Sequence, residues 1–436
     1  MDFVIGVLIL AVGLLLSIAL HEIGHLVPAK RFGVKVPQYM VGFGKTLFSR
    51  TVNGTEYGVK ALPLGGYVRM VGMYPPARGV ARRRRDGRAT VVEEARAAAL
   101  EEIGPGEEHR AFYRLSVPKK LVVMLGGPTM NLLIAAVLLG ALAVGLGVGQ
   151  YTTTLGVVQQ CVPDDPAQTE CAASDPAAPG AAAGLQAGDQ VLLWGGTEVT
   201  AWQDIATVIA DGGTGPTEVT VLRDGEEVAV TVTPEAAERP VVDDAGEVVL
   251  DGDGEPVTEM RPYVGIGPTF ELVRQPVTEV PGLVWGTFTA TVEIVVTLPQ
   301  RLVDIAQAAF GTEEREPGVV GLVGVGRFAG EIASLEGEGY GLPERSADML
   351  SLLVSLNMAL FVFNLIPLLP LDGGHIAGAL WEGARRRIAL WSERPDPGPV
   401  DTARLLPATY VVVALLLGMS VLLAYADIVN PLSLTG

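Results

Sequence analysis

The chain has 436 residues, room for roughly two or three domains on length alone, and 49% of it is apolar while only 18% is charged. Soluble domains average about 25% charged residues. The formal net charge of −18 excludes a nucleic-acid binder as a whole. The signs are segregated: residues 30–120 hold 18 Lys/Arg and 8 Asp/Glu, and residues 150–280 hold 4 and 23. That asymmetry fits two compartments.

Residues 3–20 are uncharged and run straight into His21, and no Lys or Arg precedes Lys30. A signal peptide needs a basic start, so residues 1–30 read as a retained transmembrane helix. Residues 31–76 alternate apolar and polar runs broken by Gly54, Gly58, Gly65 and Gly66, which predicts β-hairpins. Residues 77–118, with Arg82–Arg85, read as a mobile or helical cytoplasmic insertion. The arginine run is taken as a topology determinant rather than a lipid site.

A second span is predicted over 119–149. Residues 150–235 hold short β-like runs around a helical stretch, with Asp224-Gly225 as a hairpin turn. Residues 236–346 are expected to contain an acidic loop, then amphipathic or interfacial helix around Trp285 and Phe288. A third span ends the segment 347–375, residues 376–404 are cytoplasmic, and a fourth span lies in 405–436. Arg82–Arg85 and Arg385–Arg387 put their loops inside by the positive-inside rule, leaving residues 150–345 and both termini outside. Cys161 and Cys171 lie in that outer segment, as either a disulfide or two free thiols.

The chemistry-bearing motif is His21-Glu22-Ile23-Gly24-His25. On a helix, residues i and i+4 share a face, so two imidazoles can share a Zn²⁺ ion while Glu22 between them acts as general base on a bound water. The pentapeptide alone is weakly specific. Its position, closing a lipid-length apolar run, makes three ionisable residues expensive and hence functional. A catalytic zinc needs a third ligand. Asp372 is the one carboxylate between Met349 and Leu380, and it too closes a span. His375, three residues on, is read as supporting the site rather than as a ligand. His109 reads as solvated.

With these motifs in place, the chain resembles the site-2 protease family of intramembrane metalloproteases, in its RseP-like bacterial branch. HEIGH in span one, Gly126-Gly127-Pro128 with Asn131 in span two, and Asn364 through Leu371-Asp372-Gly373 ending span three carry the resemblance. It implies a multi-pass α-helical membrane protein of about four transmembrane helices, a membrane-associated β-hairpin region and an extracytoplasmic α+β PDZ domain. It further implies zinc on His21, His25 and Asp372, catalysis by Glu22, and substrate positioning by Asn364, Asn131, Gly65 and Gly66. Ala183–Val191 resembles the bacterial PDZ core, so Gly184, Leu185, Gly188 and Asp189 are expected at a peptide groove. That domain is expected either to bind peptide or only to block access.

The implied activity is cleavage of transmembrane segments of single-pass membrane proteins, of anti-sigma-factor type, after an upstream site-1 protease. The implied setting is the bacterial inner membrane, in contact with lipid and with no nucleic acid. A protease clearing remnant signal peptides, or a non-catalytic PDZ scaffold, are the other readings. A scaffold has no need of Glu22.

Overall fold

The computed structural model describes residues 1–76, 89–101, 103–162, 171, 175–241, 257–311, 318–335 and 340–432. Arg82–Arg85 lie outside these. The chain forms two units, one of residues 1–146 and 275–436 and one of residues 147–274.

The first unit opens with α1 (Asp2–Arg31), whose ends match its dipole: Asp2 in the first turn, Lys30 and Arg31 in the last. Strands β1 (Gln38–Val52) and β2 (Thr55–Arg69) follow, joined by a tight turn in which Asn53 and Gly54 both have positive φ. The strands are long, and β1 folds back. Its segment 38–41 pairs with 56–59 on one side and with 66–69 on the other. Residues 66–69 are thereby an outer segment of this small sheet.

Helix α2 (Val91–Glu101) occupies the expected insertion and buries Arg96. That guanidinium pairs with Glu93 and with Asp401, which ties α2 to the segment before the last helix. Helix α3 (Val117–Ala141) then runs antiparallel to α1. Gly24 and Gly126 meet backbone to backbone, with no space for a side chain between them. Leu26, Ala29, Tyr39, Phe112, Val123 and Met124 form one buried cluster joining α1, β1 and α3.

The second unit contains β3 (Val148–Val158), α4 (Pro179–Ala182), β4 (Gln190–Trp194), β5 (Thr197–Glu198), α5 (Trp202–Gly212), β6 (Thr217–Arg223), β7 (Glu226–Val232), β8 (Glu235–Pro240), β9 (Thr258–Tyr263) and β10 (Ile266–Val273). Its main sheet runs β10-β3-β4-β6-β7, with β5 on β4. Leu155, Val191, Trp194, Ile205, Val219 and Val232 fill the core. The unit reaches beyond the expected 150–235 boundary because β10 returns to pair with β3. Part of the expected acidic loop is likewise strand, since β8 pairs with β9. Cys161 and Cys171 are joined in a disulfide.

The first unit resumes with α6 (Val280–Phe310), α7 (Leu322–Ser334), α8 (Leu342–Leu365), α9 (Asp372–Trp391) and α10 (Leu406–Val429). Among the described residues, five helices are long and apolar enough to cross a membrane: α1, α3, α6, α8 and α10. That is one more than the four expected. In α6 the charges Glu293, Arg301 and Asp304 interrupt the apolar run, so no lipid-length uncharged stretch marks it in the sequence. Helix α8 lies parallel to α1. Met349 packs near Leu10, and one side-chain hydrogen bond joins Asn357 to Ser17 at 3.0 Å. The C-terminal ends of α1 and α8 therefore come to the same level.

Candidate metal centre

At that level α1 presents His21 and His25, one turn apart on one face. Helix α9 presents Asp372 as its first residue, after the turn that follows α8. His21 Nε2 and His25 Nε2 are 3.2 Å apart. Asp372 Oδ2 is 3.4 Å from the first and 3.2 Å from the second. Three donors on a tetrahedral zinc at about 2.0–2.1 Å would stand about 3.3 Å from one another. The residues thus fit zinc in chemistry and in spacing.

A second observation agrees. Asp372 Oδ2 is buried, and among the described residues it has no hydrogen-bond donor other than the facing imidazoles. A third is the cradle made by Gly127. A Cβ there would crowd His25 Nε2 and lie 2.7 Å from both Cε1 and Nε2 of His21. The absent side chain leaves open the space that the three donors face.

The imidazoles are oriented from behind. His25 Nδ1 donates to the Val123 carbonyl at 2.8 Å, which leaves its Nε2 lone pair free. His21 Nδ1 lies 3.1 Å from the amide of Asn131, a fully buried side chain. The nearer amide atom is Nδ2; with the His21 Nε2 lone pair committed to an ion the proton sits on Nδ1, and the amide turned over presents its otherwise unpaired oxygen as the acceptor. Asn131, expected to position substrate, contacts the candidate ligand His21. Glu22 sits between the histidines in sequence and faces β2. The Val68 backbone lies against its carboxylate, and a Cβ on Gly66 would come within 3.0 Å of its Cγ.

The other expected residues fall in different places. Asn364 is half-buried in the last turn of α8. Gly65 has a φ of 110°, and a side chain there would strike the Phe43 ring. His375 stands apart from the three donors, beside Lys120 and Glu382. In the second unit Leu185 is a core residue and Asp189 is 1% exposed. Asp189 is held by Arg223 at 2.6 Å and accepts the Gln186 N–H at 2.8 Å. Burial would raise its carboxyl, but Arg223 and Gln186 outweigh that and hold it below the ordinary aspartate range. Gly184 and Gly188 have positive φ and serve the turn geometry there.

Sequence reasoning missed the buried pair of Lys120 and Glu382, at 2.7 Å, which joins α3 to α9 beside the site. A lysine opening an apolar span was the available signal. It missed the Gly127 cradle too, although two adjacent glycines inside a span point to close approach.

Comparison with known proteins agrees with this geometry. The family model of Peptidase family M50 matches residues 9–392. Zinc metalloprotease Rip1 of Mycobacterium tuberculosis is 33% identical over 444 residues, covering the whole of both chains. Rip1 of Mycolicibacterium smegmatis is 32% identical over 450 residues, again end to end. Metalloprotease MmpA of Caulobacter vibrioides is 27% identical over 395 residues, 88% of this chain and 89% of its own. With HEIGH and Asp372 converging on one point and the match running nearly the length of the chain, this protein belongs to Peptidase family M50.

Proposed function

We propose that this protein is a zinc-dependent intramembrane endopeptidase that cuts within the transmembrane segment of single-pass membrane proteins. The carrying observation is the triangle of His21, His25 and Asp372 donors, 3.2–3.4 Å on a side, at the ends of membrane-length helices. Zinc held there would polarise a scissile carbonyl and acidify a water. Glu22 takes the proton of the attacking water and returns it to the leaving amine. Its neighbour β2 fixes the carboxylate and keeps it from rotating away. The outer segment 66–69 ends beside Glu22, where an unwound substrate can add as a further strand. That need is real, because a helical substrate's carbonyls are already hydrogen-bonded. Asn364, one turn before the α8 terminus, is assigned to the substrate backbone.

Four crossing helices are the reading we favour, in a bacterial inner membrane. Helix α6 meets α3 at Gly140, α8 through Phe288 and Phe361, and α10 at Leu423 and Ala426. Its Glu293, Arg301 and Asp304 set it apart from the other four helices, so α6 is read as an interfacial helix. The basic segments flanking α3 and α9 then put the metal site toward the cytoplasm, and residues 147–274 outside as a PDZ unit. The disulfide supports an oxidising compartment for that unit. Anti-sigma-factor-type proteins, trimmed first by another protease, are the proposed substrate class.

The test is cleavage of a model transmembrane substrate by the purified full-length protein. Glu22→Gln should keep its zinc and lose roughly 10²–10⁴-fold in rate. Asp372→Ala should lose zinc. Equal cleavage by wild type and Glu22→Gln would refute the mechanism.

A further inference from the structure

A cavity of about 550 Å³ opens on the metal-side end of the helical unit, apart from the zinc triangle. Arg114, Arg385 and Arg404 line it, with Tyr113 and Asp401. Asp401 is already shared between buried Arg96 and Arg404. Arg114 lies against the Tyr113 ring, 5.5 Å from its centre, and has no carboxylate partner among the described residues. Among the described residues Arg385 reaches only the Pro397 carbonyl, at 3.5 Å. Two guanidinium groups therefore face the cavity with donors to spare.

Their height in the fold says what would meet them. Arg114 stands three residues before α3 begins, and Arg404 two residues before α10 begins. Both are at the level where a span leaves the hydrocarbon. Arg385 lies on α9 between Trp381 and Ile388, both exposed, and Trp391 beyond them is exposed too. An aromatic and aliphatic face with arginines at its edge is the pattern of a helix lying at the headgroup layer. Guanidinium groups bind phosphate oxygens through paired N–H donors.

We propose that the Arg114–Arg385–Arg404 cavity binds the phosphate of an anionic phospholipid headgroup. Such a lipid would brace the segment 396–404 against α9, one helix turn from the Glu382 carboxylate that accepts the Val400 N–H. The proposal uses the membrane placement given above but not the peptidase activity, so the two fail separately.

The test is native mass spectrometry of the full-length protein in detergent, with equimolar dioleoyl phosphatidylglycerol and dioleoyl phosphatidylcholine. Wild type should retain phosphatidylglycerol preferentially. Each arginine near a membrane surface strengthens anionic-lipid binding about fivefold, so the double variant Arg114→Gln/Arg385→Gln should lose roughly 30-fold. Arg114→Gln alone, at an exposed side chain, should lose about fivefold. Unchanged zinc content in both variants will certify the fold. Equal retention of the two lipids by wild type, or undiminished phosphatidylglycerol binding by both variants, overturns the proposal. Displacement of the lipid by glycerol 3-phosphate at equal concentration would also overturn it, in favour of a soluble phosphate ester.

Discussion

Gly127→Ala should empty the metal site while leaving the fold intact. The added methyl carbon would sit 2.7 Å from two ring atoms of His21 and closer still to His25 Nε2. Reaching an ordinary van der Waals separation requires the His21 ring to retreat by about 0.7 Å. A working zinc site tolerates displacements of about 0.2 Å. The required shift is several times that, and the His25 ring is fixed from behind by the Val123 carbonyl, so it cannot absorb the difference. Zinc content, measured by elemental mass spectrometry on purified protein in detergent, should fall from one ion per chain to well under a tenth. Gly140→Ala on the same helix is the control, because a Cβ there meets only a Val280 methyl at 3.7 Å. That variant should keep its zinc. A Gly127→Ala protein holding a full ion and cleaving at the wild-type rate would refute the cradle argument.

Asn131→Ala should weaken zinc binding by about 10–100-fold, while Asn131→Asp, which still offers an acceptor to His21 Nδ1, restores most of it; competition with a fluorescent chelator reads both. In the second unit, Arg223→Ala leaves the Asp189 carboxylate buried without its partner and should cost about 2–3 kcal/mol, discounted for the partly exposed guanidinium. The wild-type pair has a pH signature of definite sign. The Asp189 pKa is depressed in the folded state, so its stabilisation is present above the unfolded value near pH 4 and fades as pH falls through the folded one. Amide exchange across residues 186–223 should rise in that acid window in wild type, and Arg223→Ala should abolish the dependence. Replacing both Cys161 and Cys171 with serine opens a loop of ten residues and should destabilise the second unit by about 2.7 kcal/mol on chain entropy. Zinc content should not change.

Much of the site was legible before any coordinates. HEIGH needs only helical periodicity to put two imidazoles together, and an uncharged span leading into it marks the ionisable residues as purposeful. Asp372 could be singled out because membrane segments hold so few carboxylates. What could not be read was anything depending on the partner across a contact. The acceptor for His21 comes from α3, 110 residues away, and no local pattern in Asn131 announces it. The AGLQAGD stretch of the second unit supports two readings in sequence for a different reason. A motif can persist because its turn and its Asp189–Arg223 pair build the domain, and the pattern looks the same as that of a binding loop. Helix α6 was legible as an amphipathic or interfacial helix around Trp285 and Phe288, but its three charges kept it out of the count of apolar spans.

Gly24 and Gly126 bring the backbones of α1 and α3 into direct contact at the metal level, and His25 is pinned to α3 a turn away. Two of the three candidate ligands therefore belong to a single stiff body. Asp372 enters by the turn between α8 and α9 and is tied to that body through α9, whose Glu382 pairs with Lys120 of α3. Any widening of the cleft to admit a substrate must come from the Asp372 side or from the β2 edge. Coordination would then loosen whenever the door opens on the first of these, so ion retention under substrate load becomes a reporter of which wall moves.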